Sequence, residues 1–516
     1  MSDQNFFNPD EVMKEKEFEK EILEALPEIP PEKILKKVIP CRRAMNFIIT
    51  GLAFSTFTIN LYFLNYFFSV AGSILLLIGL RTLKNENTWF KYSWIVSIVQ
   101  NIAEIFLLGV FSTVHGAEFS DSLFGRTFCF INYYVLFVVL LIFFALGLKT
   151  LQEKAGIKAK VSSMIALIIW YLSIMVLGVT GATITIIGFS ILVIVYILII
   201  RSLCKIAKAL YASGYAIKTK PVKISDKWLV AILTAAIAVS VSCGFIFFRS
   251  FPMDWTPVSE NEHSEVEDIK AHLLGLGFPE NVLDDLSEED IKVCDGAVAL
   301  VSESEEMPIN RGHEVVETKK EGNTLYINRD TVYDVKELVI THVLVRLPGD
   351  TVRWKAFHHL YWKVDPGFLG TEALQVWYPG HSGISENAFS LTSDFTGRVM
   401  YDEGGRTYAA EYYEVSKKET ATFFGMSLDT YLDFSMPSDG ENKRCYVSYE
   451  FNQLNTGCLI SPWVNYHHQM SLLQYPVYTA SDYCAAGKNG YVFSEAQSSM
   501  TLTYDDVMFP DAEPDN

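Results

Sequence analysis

Glu104 is the side chain whose position costs most. It lies near the middle of an apolar run at 92–114, with Gln100 four residues earlier on the same helical face and Asn101 beside it. A carboxyl in hydrocarbon points to function by default, here a proton, ion or substrate site. Interhelical hydrogen bonding that fixes a bundle is the commoner role of such a group. Asn60, Asn65 and Asn132, in other apolar runs, are the candidate partners.

The second half of the chain offers aromatic rather than ionic chemistry. Ring faces stack on the C–H face of a pyranose while polar neighbours take its hydroxyls. Phe357, Tyr361, Trp377, Tyr378, Tyr412 and Tyr446 are the candidates for that work. Tyr361 shares a strand face with His359 and Lys363, and Pro379-Gly380 places Trp377 and Tyr378 at a strand end. The expected ligand-binding set is therefore Tyr361, His359, Trp377 and Tyr378. Trp354 and Trp362 fall on an apolar face and are expected in the core.

Metal and nucleophile signals are weak. His358-His359 and His467-His468 are adjacent pairs, and neighbours on a strand point to opposite faces, so neither pair chelates from regular geometry. His358 is expected as a hydrogen-bonded interior histidine. There is no His-Glu-x-x-His and no paired Cys-x-x-Cys. No transition metal and no cofactor are expected; a structural calcium at Asp505 and Asp506 is the one ion considered. No Gly-x-Ser-x-Gly occurs, so a surface hydrolase ranks behind a binding role. Cys41, Cys129, Cys204 and Cys243 lie in or beside apolar runs, where they act as small apolar residues. Cys294, Cys445, Cys458 and Cys484 follow the last run, and one bridge is expected among Cys445, Cys458 and Cys484.

The elements that must carry these residues are legible from hydropathy. Half of the 516 residues are apolar and 20% are charged, which excludes a disordered chain. The net charge of −18 speaks against nucleic-acid binding. It is unevenly spread: residues 1–248 carry 23 Lys and Arg against 16 Asp and Glu, the remainder 19 against 44. Apolar runs fall at 46–80, 92–114, 127–148, 162–200 and 228–248. Those at 46–80 and 162–200 would make single helices of roughly 50–60 Å, about twice the bilayer core, so each reads as a helical hairpin. The second turns at Gly178-Val179-Thr180-Gly181, the first between Asn60 and Tyr66.

Seven spans result, and basic flanks orient them. Lys36, Lys37, Arg42 and Arg43 precede the first hairpin, and Arg81, Lys84 and Lys91 follow it. The loops 149–161 and 201–227 are also basic, whereas 115–126 carries Glu118, Asp121 and one Arg126. The N-terminus is thus expected in the cytoplasm and everything past Phe248 outside. The segment 1–44 is cytoplasmic; within it 11–26 reads as an amphipathic helix resting on the loops or docking a cytoplasmic partner. The transmembrane domain is 45–248, followed by an acidic linker at 249–268.

Residues 269–300 read as a short helix pair broken at Gly275-Leu276-Gly277-Phe278-Pro279, with Ser287 and Asp290 as an N-terminal cap pattern. The turn is superficially similar to that of ubiquitin-associated helical domains, a role the expected location rejects. From about residue 324 the period changes to two. Val352, Trp354, Ala356, His358, Leu360 and Trp362 alternate with Arg353, Lys355, Phe357, His359 and Tyr361. About ten such strands, separated by turns such as Asp365-Pro366-Gly367 and Pro437-Ser438-Asp439-Gly440, imply a β-sandwich, jelly-roll-like, over 301–510, with a tail at 511–516.

The closing segment Leu502-Thr503-Tyr504-Asp505-Asp506-Val507 resembles the last strand of jelly-roll carbohydrate-binding modules. That resemblance covers six residues and implies a galactose-binding-like fold with sugar or peptidoglycan ligands; it carries over no binding residues. The second half has no Asn-x-Ser/Thr sequon, which leans towards a bacterial surface. The expectation is a multi-pass cell-membrane protein, embedded in a lipid bilayer, whose extracytoplasmic domain binds an envelope or extracellular ligand. A transporter built around Glu104 is the first alternative and a surface hydrolase the second.

Overall fold

A computed structural model of the chain describes residues 40–56, 64–180, 185–218, 223–259, 263–309, 313–321, 324–332, 337–381, 387–422, 425–488 and 492–508. The chain forms two compact units. One comprises the residues up to Phe106 with Arg126–Ala236; the other comprises Leu107–Gly125 with the residues from Ile237 onward.

The first unit is helical. Its elements are α1 (Pro40–Thr56), α2 (Leu64–Leu83), α3 (Thr88–Val110), α4 (Gly116–Asp121), α5 (Leu123–Lys154), α6 (Ser162–Thr180), α7 (Ile186–Ala212) and α8 (Asp226–Phe247), with α4 and the ends of α3 and α8 contributed to the second unit. Among the described residues, Tyr66–Leu83, Thr88–Val110, Leu123–Lys154, Ile186–Ala212 and Asp226–Phe247 are the five helices long and apolar enough to cross a membrane. Pro40–Thr56 and the apolar stretch Ser162–Leu177 are shorter; they stand where the other two of the seven expected spans fall. Of the expected turn Gly178-Val179-Thr180-Gly181, the first three residues belong to α6; Gly181 and the residues between Thr56 and Leu64 lie outside the described residues. The amphipathic stretch 11–26 and Asn60 lie outside the described residues.

Small residues let α1 and α2 approach backbone to backbone. A Cβ on Gly72 would stand 2.8 Å from the Ser55 nitrogen, and one on Gly51 2.8 Å from the Gly72 carbonyl. The basic loops meet at two carboxylates. Glu86, after α2, accepts from Lys154 Nζ at 3.1 Å, Tyr215 OH at 2.8 Å and the Lys218 backbone at 2.7 Å. Asp226 pairs with Arg43 at 3.2 Å and Arg81 at 3.6 Å.

The second unit is mostly antiparallel sheet. Its strands are β1 (Thr256–Pro257), β2 (Ala299–Met307), β3 (His313–Glu321), β4 (Thr324–Val332), β5 (Leu338–Leu347), β6 (Arg353–Trp362), β7 (Glu372–Trp377), β8 (Phe389–Leu391), β9 (Thr396–Glu403), β10 (Arg406–Glu411), β11 (Glu414–Thr422), β12 (Gly425–Phe434), β13 (Glu441–Gln453), β14 (Trp463–Gln469) and β15 (Phe493–Ser499). The larger sheet runs β1-β10-β9-β13-β6-β5-β2, with β8 on β13; the smaller runs β11-β12-β7-β14-β15; β3 and β4 form a separate ribbon. The two sheets share one core, including Leu344, Trp354 and Leu360 from one and Leu374, Leu432 and Tyr466 from the other. Trp354 and Trp362 are buried in it, as their face of the alternation requires. The turns at Gly367 and Gly440 have positive φ, where a Cβ would be strained.

The structure differs from the sequence reading in four places. Regular strands begin well before residue 324. The helix pair is three short helices, α9 (Glu267–Gly275), α10 (Glu280–Leu283) and α11 (Glu288–Val293). They cover the outer face of the larger sheet, packing Leu273, Phe278 and Ile291 on Val343, Phe357 and Tyr446. Strand β6 is therefore buried on both faces. The closing segment is not a strand: Leu502 bridges to Ile460, and Tyr504–Met508 is a helical turn (α13).

The fourth difference concerns the cysteines, which are all free thiols. Cys445 faces the core from β13, whereas Cys484 sits on α12 (Ala480–Ala485), which packs on the outer face of the smaller sheet beside Ala373 and Tyr431. The smaller sheet stands between them.

The short loop after α3, itself part of the second unit, is held there by backbone bonds. Val477 N donates to Phe111 O at 2.8 Å, and Val114 N to Phe248 O at 2.9 Å. Val114, Phe251 and Val477 form a small apolar cluster.

Candidate functional site

The outer face of the smaller sheet carries a constellation of polar and aromatic side chains. Register places Trp463 beside Trp377, Asn465 beside Gln375, and His467 beside Glu495. Tyr431 lies across from Gln375 on β12. Because strand residues alternate, these all leave the sheet on the side away from Leu374 and Val376.

Asp429 organises the group. Its carboxylate accepts from Gln375 Nε2 at 2.6 Å, His381 Nε2 at 2.8 Å and Ser427 Oγ at 2.6 Å. Burial opposes its ionisation, yet the bonds from His381 and Ser427 hold the carboxyl well below the usual carboxylate range. A serine, a histidine and an aspartate meet here, but not as a nucleophilic relay. The same nitrogen of His381 faces both Asp429 and Ser427, the latter at 3.3 Å. The Ser427 hydroxyl gives its hydrogen to Asp429, so no base receives it.

One of the four expected ligand residues, Trp377, belongs to this face; Tyr378 follows it at the strand end and packs on the core between the sheets. Trp377 and Trp463 contact edge to face at 6.5 Å, and Tyr378 packs edge-on to His381 at 5.9 Å. All four rings are partly exposed. Tyr361 is on the larger sheet, opposite Arg444. His359 is buried under the helix layer, with Nε2 2.8 Å from Asp285. Of the other aromatic candidates, Phe357, Tyr412 and Tyr446 are all buried. Phe357 and Tyr446 lie under the helix layer and Tyr412 in the core between the sheets; nothing local announces the ion pairs that hold the covering helices. Those pairs are Asp285 with Arg444 at 2.7 Å and Asp290 with Lys355 at 2.8 Å.

His467 and His468 diverge as adjacent strand residues must. His468 turns inward to Glu372 at 3.0 Å, and His467 outward to Gln375 at 3.2 Å. The interior also holds a directional chain. Ser498 donates to Glu305 at 2.9 Å, so its oxygen accepts from His342 Nε2 at 2.8 Å. His342 Nδ1 is then an acceptor, filled by His358 Nδ1 at 2.6 Å, and His358 Nε2 accepts from Tyr449 at 3.2 Å. Every nitrogen is satisfied with both rings neutral.

Asp506 accepts from the Thr503 backbone at 2.6 Å and serves as a turn cap, with Asp505 exposed beside it.

In the helical unit, Glu104 accepts from Ser69 at 2.9 Å. Asn101 donates to Ser97 O at 2.8 Å, and Gln100 to Asn132 O at 3.4 Å. Asn132 lies in a π-helical segment within α5 (Ile131–Leu136), an irregularity that recurs at functional sites. Ser55, Ser69, Ser73, Gln100, Glu104 and Asn132 line a cavity of about 60 Å³, and polar walls of this kind hold water.

No family model and no curated protein matches the chain. A solved structure described as "AvmM Catalyzes Macrocyclization in Alchivemycin A Biosynthesis" aligns over 30% of this chain and 82% of its own, at 12% identity and a TM-score of 0.16. A likeness at that level carries no argument about fold or activity.

Proposed function

We propose that the chain is a seven-span cell-membrane protein whose β-sandwich, jelly-roll-like, stands outside the cytoplasm and binds an envelope or extracellular ligand rich in hydroxyls, such as a carbohydrate. The carrying observation is the face where Trp377 and Trp463 stand beside His381 and Asp429, with Tyr378 meeting it edge-on through His381. Rings there offer stacking surfaces, and His381, whose Nε2 hydrogen goes to the buried Asp429 carboxylate, keeps Nδ1 as an acceptor for a hydroxyl. Two contacts support the topology. Loops with basic flanks converge on Glu86 and Asp226, and the acidic loop at 115–126 begins beside the segment that contacts the sandwich at Val477. The full chain in lipid nanodiscs, screened on a glycan array, tests this reading. Retention of a glycan by the native chain and its loss in Trp377→Ala support it; no retained sugar, peptide or protein argues against it.

A second reading is favoured by the polar cavity at Glu104. If the bundle moves an ion or substrate, Glu104→Gln abolishes flux in vesicles, and unchanged flux removes the idea.

A further inference from the structure

We infer that His467, Cys484 and Glu495 form a binding site for a borderline-soft divalent cation, zinc in the first place, on the outer face of the smaller sheet. One nitrogen, one sulfur and one oxygen from these side chains lie within 4.8 Å of one another. They come from β14, α12 and β15, so no sequence spacing announces them.

The neighbours of His467 decide which of its nitrogens carries the hydrogen. The Asp429 carboxylate can only accept, so the Gln375 amide must turn its NH₂ towards it, as the 2.6 Å contact records. The amide oxygen of Gln375 then faces His467 Nε2 at 3.2 Å. Two acceptors cannot face each other at that distance without loss, so Nε2 carries the hydrogen and Nδ1 carries the lone pair. That lone pair points towards Glu495, with Nδ1 3.8 Å from Oε1. The thiol of Cys484 stands close by, donating to the same Gln375 oxygen at 3.8 Å and accepting from Tyr431 at 3.5 Å. A nitrogen lone pair, a carboxylate oxygen and a sulfur thus converge, and a cation between them satisfies all three. The Gln375–His467 bond is the kind of outer contact that fixes the tautomer of metal-binding histidines.

Ligand types choose the ion. Imidazole with a thiolate favours zinc or copper over magnesium or calcium. Around zinc at bond lengths of about 2.0–2.3 Å, tetrahedral ligand atoms stand roughly 3.3–3.8 Å apart. The site closes to that spacing by a small swing of Glu495, whose side chain is 63% exposed. His467 is buried on a strand paired on both sides, so it stays fixed while Glu495 closes. Three protein ligands leave the fourth position of the ion for water or a ligand group. Binding releases the Cys484 proton to solvent, so affinity rises with pH.

The test uses the full chain in nanodiscs, stripped of metal under a phosphine reductant and titrated with Zn²⁺ against a chromophoric chelator. The native chain should take up one ion per chain. Cys484→Ser and Glu495→Gln should each weaken that binding at least tenfold, while Cys458→Ser leaves it unchanged. Gln375→Leu, which frees the His467 tautomer, should weaken it by about ten- to a hundredfold. With Co²⁺ as the probe, a thiolate charge-transfer band should be present in the native chain and absent in Cys484→Ser. Glu495 is largely solvent-facing, so Glu495→Gln folds even if a buried variant does not. No stoichiometric uptake by the native chain, or uptake equal in the native chain and Glu495→Gln, overturns the proposal; the former is what a proton shared between Glu495 and His467 would give. Because the readout is metal alone, it is independent of whether any glycan binds.

Discussion

The His342–His358 chain makes stability depend on pH in a stated direction. Burial pushes His342 down to about 4 and His358 well below its ordinary value, the latter also through His342. Unfolded histidine titrates near 6.5, so between that value and 4 the unfolded chain binds protons that the folded chain does not. The stabilising contribution is full above 6.5 and is lost as pH falls. His342 alone should remove about 2 kcal/mol between pH 7 and pH 5, and His358 acts in the same direction. Urea unfolding of the full chain in nanodiscs, followed by tryptophan fluorescence at both pH values, measures this; an unchanged midpoint refutes it. Alternation in β6 was enough to place His358 inside. Its partners His342, Ser498 and Tyr449 come from three other strands, and single-chain spacing does not encode that convergence. The same limit hid Gln375, Asp429 and His381, since each is an ordinary polar residue until register brings them together.

Among the elements, the helix layer and the α1–α2 pair yield separate predictions. Asp290 serves both as the partner of buried Lys355 and as acceptor for Tyr446 at 2.8 Å and Ser448 at 2.8 Å. Asp290→Ala leaves that ammonium unpaired and should cost about 3–5 kcal/mol. Ser287→Ala removes a cap that accepts from Asp290 N at 3.2 Å and should cost only about 1 kcal/mol. Denaturant midpoints separate the two; equal effects would mean the ion pair contributes little. In the bundle, Gly72→Leu drives a side chain into the Ser55 backbone and should lower the thermal midpoint of the helical unit in detergent, whereas Ala at exposed Gly214, where no atom lies within 4 Å, should disturb it only through its positive φ. Equal shifts would show that α1 and α2 are not closely packed. The cap at Ser287 and the turns at Gly367 and Gly440 were readable because they are local. The cover over β6 was not, because strict alternation signals one buried face and is silent on what charged residues on the other face will pair with. The expected strand at 502–507 failed for a related reason: Thr503 and Asp506 form a reciprocal cap at 2.6 and 3.2 Å, and this local bond outweighs a short alternating pattern.

At the scale of the whole molecule, charge and hydropathy divide the chain in two. The basic first half supplies the apolar helices, and the acidic second half supplies the sheets. Sequence carries this division because lipid demands long apolar helices and basic loops resist translocation, and both are composition-level constraints. It does not carry ligand identity, which depends on side chains assembled from several strands. Topology is tested most directly by thiol labelling of intact cells with a membrane-impermeant maleimide, comparing Leu454→Cys and Ser213→Cys with the unsubstituted chain. Both positions are exposed, Leu454 at 65%. The account predicts labelling of Leu454→Cys above background and of Ser213→Cys only after the membrane is opened. Labelling of Ser213→Cys on intact cells, with Leu454→Cys protected, would contradict it.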